Sequence, residues 1–373
     1  MDTVMARSDR TAEVILPCRT LDETLTFFTD RLGFRLDVIF PADDPAEVVL
    51  SGYGLRLRLS RRAVGAPGTL RLHCAEAAMP DGECILTAPN GTRIEMVRTD
   101  AALAEPPIVK SLTVHRLAGD APWGVGRAGM LYRDLVPDRI GGSVIASHIR
   151  IPTGGPVPDY VHHHTVRFQM IYCYKGWVRV VYEDQGPDFV MRPGDCVLQP
   201  PGIRHRVLEC SNRLEVIEIG CPAEHTTHVD HDLTLPTAIT DPTRDFGGQH
   251  FVRHQAATAD WAPWRLNGFE ARDTGIGAAT GGVAGVRIAR RTHAAPTSHY
   301  QHDADFLFLF VLCGTFTLRT VGQPDQELVA EDCITIPAGM AHGFIACSGD
   351  LELLEVTLPA GFGTETVPGG MQG

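Results

Sequence analysis

The stretch Gly154-Gly-Pro-Val-Pro-Asp-Tyr-Val-His162-His-His164-Thr-Val-Arg-Phe-Gln169 decides the reading of this chain. It is followed by Tyr172-Cys-Tyr-Lys-Gly176, Arg192-Pro-Gly194-Asp, Pro200-Pro-Gly202 and Arg204-His205. Successive side chains of a β-strand face opposite ways, so the His162-x-His164 pair puts two imidazoles on one face, close enough to share one metal ion. A third, His205, follows a Pro-x-Gly turn that ends the apolar run Cys196-Val-Leu-Gln199 and sends the chain back across the sheet. The pattern is that of a metal site inside a small β-barrel.

The full set of offsets resembles the two signature motifs of the cupin superfamily: His-x-His, then Gln169 and Gly176, then Gly194, Pro200-x-Gly202 and His205. The resemblance implies that His162, His164, Gln169 and His205 are the ligands of a divalent metal. Cupins usually carry Glu where this chain has Gln169, so one ligand departs from the common pattern.

Composition agrees. A chain of 373 residues is long enough for two or three domains. Its 38 Gly and 26 Pro suit short strands joined by tight turns, so the fold is expected to be mainly β. The formal charge of −12 argues against nucleic acid and anionic membrane surfaces, both of which reward Lys and Arg clusters. A small-molecule partner is expected instead. The start, Met1-Asp-Thr-Val-Met-Ala-Arg-Ser-Asp-Arg10, lacks an apolar core of signal length, and no long apolar run follows, so a cytoplasmic protein is expected. The ten Cys form no CxxC or regular framework and read as reduced, mostly buried thiols.

Residues 1–100 read as a separate unit. A strand near Ala12–Cys18 precedes Leu21–Phe34, where Leu21, Leu25, Phe28 and Leu32 recur at helical spacing and Gly33 ends the run. Arg35–Phe40, Glu47–Leu50 and Leu55–Leu59 then read as strands. This β-α-β-β-β order, with Arg31-Leu-Gly-Phe34 and a late Pro89–Glu95 hairpin, is similar to the vicinal oxygen chelate fold of glyoxalases and extradiol dioxygenases. By that resemblance Glu95, with Glu13 and His73, occupies metal-ligand positions. No His stands at either strand start, so the unit is expected to be degenerate, a wall or dimerisation element. The Pro-rich Ala101–Pro107 reads as a linker.

The later chain repeats itself at an offset of 137 or 138 residues: His164 against His302, Gly176 against Gly314, His205 against His342, Leu214–Glu218 against Leu351–Glu355. Two tandem barrels, a bicupin arrangement, are therefore expected at 108–222 and 250–360, joined by a segment at 223–249. In the second repeat His162 becomes Tyr300 and Gln169 becomes Leu307, and Phe306–Leu312 is continuously apolar, as in a strand buried on both faces. That barrel is expected to be plugged and metal-free, the alternative being a residual site of His299, His302 and His342. The His-bearing run His225, His228, His231 reads as a solvated connection.

Three neutral imidazoles and a neutral amide leave the ion's +2 charge uncompensated by protein. Such a site favours an anionic, bidentate oxygen ligand such as an enolate, catecholate or α-hydroxy acid. Imidazole suits Fe, Mn, Ni, Cu and Zn, and affinity order does not choose among them. With Fe(II), the cupin resemblance implies an O₂-dependent dioxygenase cleaving a carbon–carbon bond, the reading favoured here. With Mn, Zn or Ni it implies a lyase, isomerase or cyclase, and a non-catalytic ligand-binding bicupin is the third reading. Tyr172, Arg150 and Glu218 are the candidate catalytic groups. His148, Asp159, Tyr160, His163, Gln199 and Arg204 also lie near the motif. Cupins pair their barrels, which implies a homodimer.

Overall fold

The computed structural model describes residues 11–99, 101–117, 122–292 and 298–367. The segment Met1–Arg10, which carried the expectation about a signal, lies outside them. The chain forms two compact units, 1–102 and 103–373. No helix among the described residues is long and apolar enough to cross a membrane.

In the first unit the strand Val14–Pro17, the helical run Leu21–Arg31 and the strands Arg35–Phe40, Glu47–Gly52 and Leu55–Ser60 follow the expected order. The sheet runs Val14–Pro17, Leu55–Ser60, Glu47–Gly52, Arg35–Phe40. Alternation in Leu55–Ser60 buries Leu57 and Leu59 and leaves Arg56 and Arg58 on the other face, paired with Glu13 at 3.2 and 2.8 Å. Thr69–Cys74, Arg93–Arg98 and Ile85–Thr87 form a separate three-stranded sheet, with only single 3₁₀ turns between its first two strands in sequence. Glu95 is clamped by Arg71 and Arg93 at 2.8 and 3.2 Å. The loosely expected ligands Glu13, His73 and Glu95 do not assemble: both carboxylates are committed to arginines, and His73 is exposed.

The second unit is mainly β and holds two double-sheet barrels. In the first, one sheet contains Cys196–Leu198, Phe168–Lys175, Leu214–Cys221 and Ile145–Ile151. Its partner contains Val178–Tyr182, His205–Cys210, His162–His164 and Thr227–Val229. The second barrel repeats this with Cys333–Thr335, Phe306–Cys313, Glu352–Leu358 and Gly285–Arg291 facing Thr315–Thr320, His342–Ile345, His299–His302 and Thr364–Val367. Gly176 and Gly314 occupy matching turns at φ +78° and +75°. A Cβ at either would sit within 2.6 Å of a serine hydroxyl, Ser211 or Ser348, so only glycine fits.

Two boundaries differ from expectation. Thr113–His115, expected in the first barrel, pairs with Cys333–Thr335 of the second, and Val252–His254, expected in the second, pairs with Cys196–Leu198 of the first. Each barrel thus closes a sheet edge with a strand whose sequence neighbours belong to the other, which no local pattern could reveal. The segment 223–249 is also more than a connection, because Thr227–Val229 pairs along His162–His164.

The barrels meet back to back. Phe168, Met170, Tyr172, Leu198, Ile217 and Ile219 pack with Phe306, Phe308, Phe310, Leu354 and Val356 in one apolar cluster. The alternate residues Leu307, Leu309 and Val311 fill the interior of the second barrel. Phe306–Cys313 is therefore buried on both faces, as its unbroken apolar sequence implied.

Candidate metal centre

His162 and His205 are direct cross-strand partners, and His164 lies two residues along the same face. One ring nitrogen of each lies within 4.8 Å of the others, and this is the one such His, Cys, Asp or Glu cluster among the described residues. The opposite nitrogens are occupied. His162 Nδ1 lies 2.9 Å from the Tyr160 carbonyl, His205 Nδ1 lies 3.0 Å from that of Ile203, and His164 Nδ1 shares a 2.9 Å hydrogen bond with the Thr227 hydroxyl. Nδ1–H donation to the two carbonyls leaves an Nε2 lone pair facing the centre, the arrangement that orients metal-bound imidazoles.

Burial and the Arg127 charge hold His162 below the usual histidine range, and burial beside His162 and His225 pushes His164 down to about 2. Burial and the neighbouring imidazoles lower His205 as well. All three are neutral at pH 7, the form that ligates.

Gln169 approaches from the facing sheet. Its Nε2 donates to Glu218 Oε1 at 3.2 Å, which fixes the amide orientation, and its buried Oε1 has no protein partner. His162 Nε2 is likewise buried without a partner. Buried polar atoms are rarely left so, and an unpartnered ring nitrogen within the His cluster fits a cation there.

A cavity of about 580 Å³ runs from this cluster into the barrel. His164, His205, Glu218 and Gln199 line it, with Arg127, Tyr160 and His225 around them. Burial raises the Glu218 carboxyl, while Gln169, His225 and Arg127 pull it back. Gln199 Nε2 donates to Tyr182 Oη at 2.9 Å, and the Tyr182 ring stacks 5.5 Å from His205. Arg127 is paired with the buried carboxylate of Asp159, whose other oxygen accepts from Val207 N–H at 3.0 Å.

Tyr172 and Arg150 are not brought to the cluster. On Phe168–Lys175 the residues that share the Gln169 face are Ile171 and Cys173, so Tyr172 points into the inter-barrel core. On Ile145–Ile151 the odd-numbered residues line the cavity. Arg150 points the other way, 2.7 Å from Glu215 and over the Trp123 ring. His148 shares that outer face: it accepts from Arg133 Nη2 at 3.0 Å and donates to Glu215 at 2.9 Å, a neutral relay. His163 turns from the cluster and stacks on His228 at 4.9 Å, and Arg204 is engaged by Asp230 at 3.3 Å. Arg127, Thr227 and His225 were missed. Arg127 sits in an irregular Gly126-Arg-Ala-Gly129 loop with no motif, whereas Thr227 and His225 lay in the run read as solvated.

In the second barrel the matching residues do not assemble. His302 spends Nε2 on the Ile336 carbonyl at 3.1 Å, its ring lies 5.9 Å from that of His342, and Leu307 fills the Gln169 position.

Comparison with known proteins fits this geometry. The cupin domain family matches residues 147–219 and 287–357, one segment in each barrel. The two barrels are cupin domains. Among solved structures the chain is similar to the salicylate 1,2-dioxygenase of Pseudaminobacter salicylatoxidans, with a TM-score of 0.52 and 14% identity over 72% of this chain and 92% of that one. It is also similar to the oxalate decarboxylase of Bacillus subtilis, with a TM-score of 0.50 and 11% identity over 72% and 80% of the two chains. No curated protein matches the sequence. At these identities the likeness is one of fold, the tandem cupin arrangement.

Proposed function

We propose that the first cupin domain is the centre of a metal-dependent enzyme acting on a small anionic or enolisable oxygenated substrate, and that it is an iron(II) dioxygenase cleaving a carbon–carbon bond. The observation that carries the metal is the convergence of three neutral imidazoles whose outer nitrogens are already tied. His162, His164 and His205 would hold the ion with Gln169 Oε1. A divalent ion in such a donor set supplies Lewis acidity and, as iron(II), O₂ activation.

The remaining steps belong to the protein's own residues. Glu218 accepts from the Gln169 amide nitrogen, which leaves the amide oxygen free to serve as the fourth donor. Because none of the four donors is charged, the site attracts an anionic oxygen pair, and Arg127 at the cavity wall offers that anion a second cation. Thr227 fixes the His164 ring.

One observation favours a second reading, a lyase or decarboxylase that needs no O₂. Glu218 faces the cavity with its carboxyl raised by burial, the property of a group that delivers or removes a proton. The test is elemental analysis of protein purified without oxygen, followed by oxygen-electrode assays on catechols, hydroxybenzoates and β-diketones and parallel anaerobic assays on α-hydroxy and α-keto acids. Iron with substrate-dependent O₂ uptake, lost in His162→Ala and His164→Ala, is expected. Anaerobic turnover would move the assignment to the second reading, and undiminished turnover in both variants would refute the metal centre.

A further inference from the structure

The inner surface of the first cupin domain has been hollowed relative to its sister. Strand registers match the two barrels position by position: Tyr182, Val181 and Val180 lie opposite His205, Arg206 and Val207, and Thr320, Arg319 and Leu318 lie opposite His342, Gly343 and Phe344. On that register Val178 faces inward where the second barrel has Phe316, Val180 where it has Leu318, Val207 where it has Phe344, and Val216 where it has Leu353. At these four the first barrel carries the smaller side chain, whereas beside the imidazoles Tyr182 is larger than its counterpart Thr320, so the space lies on the side away from the His cluster. The sister's larger residues pack into a filled core, whereas the first barrel keeps its 580 Å³ of space.

The chamber has a direction. Its rim near the imidazoles is exposed at Tyr160 and Val229, 41% and 39%, while Val178, Met191 and Leu214 are 4% exposed or less. It opens beside the proposed metal centre and ends blind at Leu214. Glu218 lies four positions along the strand from Leu214. A rise of about 3.4 Å per residue and a strand tilt near 40° make the apolar depth about 10 Å along the barrel. Protein interiors seldom leave such space, because unfilled apolar walls forfeit dispersion contacts and a polar-poor chamber holds water badly.

We propose that the substrate is an amphiphile: a chelating anionic head held at the His cluster and Arg127, and an apolar body, aliphatic or aromatic, that enters the barrel toward Leu214. This rests on the proposed metal centre for the head, whereas the body depends on the chamber alone. Small hydrophilic diacids would leave the chamber unfilled.

Straight-chain 2-hydroxy carboxylates of two to ten carbons and the matching n-alkanols, titrated calorimetrically into the zinc-loaded protein, test it. Each methylene buried should tighten Kd about fourfold until the chamber is full, after which affinity levels off. Carrying the sister's residues across, as Val178→Phe with Val207→Phe, should abolish that chain-length gain while zinc content stays at the wild-type level. Val180→Leu, a milder change, should bring the plateau to shorter chains. Chain-length gain in the alkanols with none of the extra affinity of the hydroxy acids would keep the chamber and sink the metal-held head. Affinity independent of chain length in both series, or an unchanged gain in folded Val178→Phe/Val207→Phe, would overturn the proposal.

Discussion

Replacing Gln169 by glutamate strikes at the charge argument directly. Gln169 Nε2 lies 3.2 Å from Glu218 Oε1, so the Gln169→Glu variant sets two carboxylates at about that separation. With an effective dielectric of about 20, two unit charges so close repel by about 5 kcal/mol, well above the roughly 1.4 kcal/mol that shifts a protonation equilibrium tenfold. One of the two therefore keeps a proton at neutral pH. With an ion bound, that proton belongs on Glu218, since the carboxylate at 169 takes the place of the amide oxygen proposed as a ligand. The negative charge of the pair then sits on the side chain at 169, where wild type has a neutral amide. Metal should bind on the order of tenfold more tightly, and a chelating anion should bind more weakly. A negative charge at about 5 Å from the chelating anion repels it by about 3 kcal/mol at the same dielectric, or roughly 100-fold in Kd, less whatever Glu218 already contributes in wild type. Chelator competition for the metal and calorimetric titration with oxalate, both at neutral pH, measure the two effects. Unchanged affinity for both would show that the Gln169 oxygen does not face the ion, and the predicted preference for anions would fall with it.

Thr227→Val removes the hydroxyl that orients His164 and should weaken metal affinity by about tenfold, read by chelator competition, with the circular dichroism spectrum unchanged. Arg127→Met should reduce oxalate affinity by about tenfold or more and also lower the thermal midpoint, because Asp159 would keep a buried carboxylate without its cation. Burial pushes Glu215 up, but the His148 hydrogen bond, with Lys175 and Arg150 nearby, brings it down to about 2. A carboxyl depressed in the folded state stabilises above its unfolded pKa, so urea midpoints should fall as pH drops from about 4.5 toward 2, and Glu215→Gln should flatten that slope.

Much of this fold was legible because a metal-bearing barrel needs fixed residue types at fixed offsets. His164, Gly176 and His205 recur as His302, Gly314 and His342, and a repeat of that kind cannot hide. Side-chain parity was also available. Counting by twos from Gln169 reaches Ile171 and Cys173, which excludes Tyr172 from the cavity, whereas Arg150 had no inward reference residue on its own strand. The exchanged strands Thr113–His115 and Val252–His254 could not be read, since three residues with ordinary β-propensity carry no mark of which sheet edge they complete. Arg127 escaped because irregular loops have no period, and its role comes from where the loop Gly126–Gly129 lies in space.

The inequality of the two barrels has a mechanical side. Hollowing the first barrel removes apolar packing from its inner face, and a thinly packed sheet would hold ligands imprecisely. Its outer face compensates: Phe168, Met170 and Tyr172 interdigitate with Phe306, Phe308 and Phe310, carried by a sheet whose own interior is filled. Gln169 stands between Phe168 and Met170, so the amide proposed to complete the metal centre is held by residues anchored in the plugged domain. The loss of His162 and Gln169 equivalents in the second barrel is then coupled to the first barrel's chemistry. Large apolar residues where ligands would stand make the second barrel rigid, and that rigidity fixes the Gln169 strand to which the three imidazoles must register.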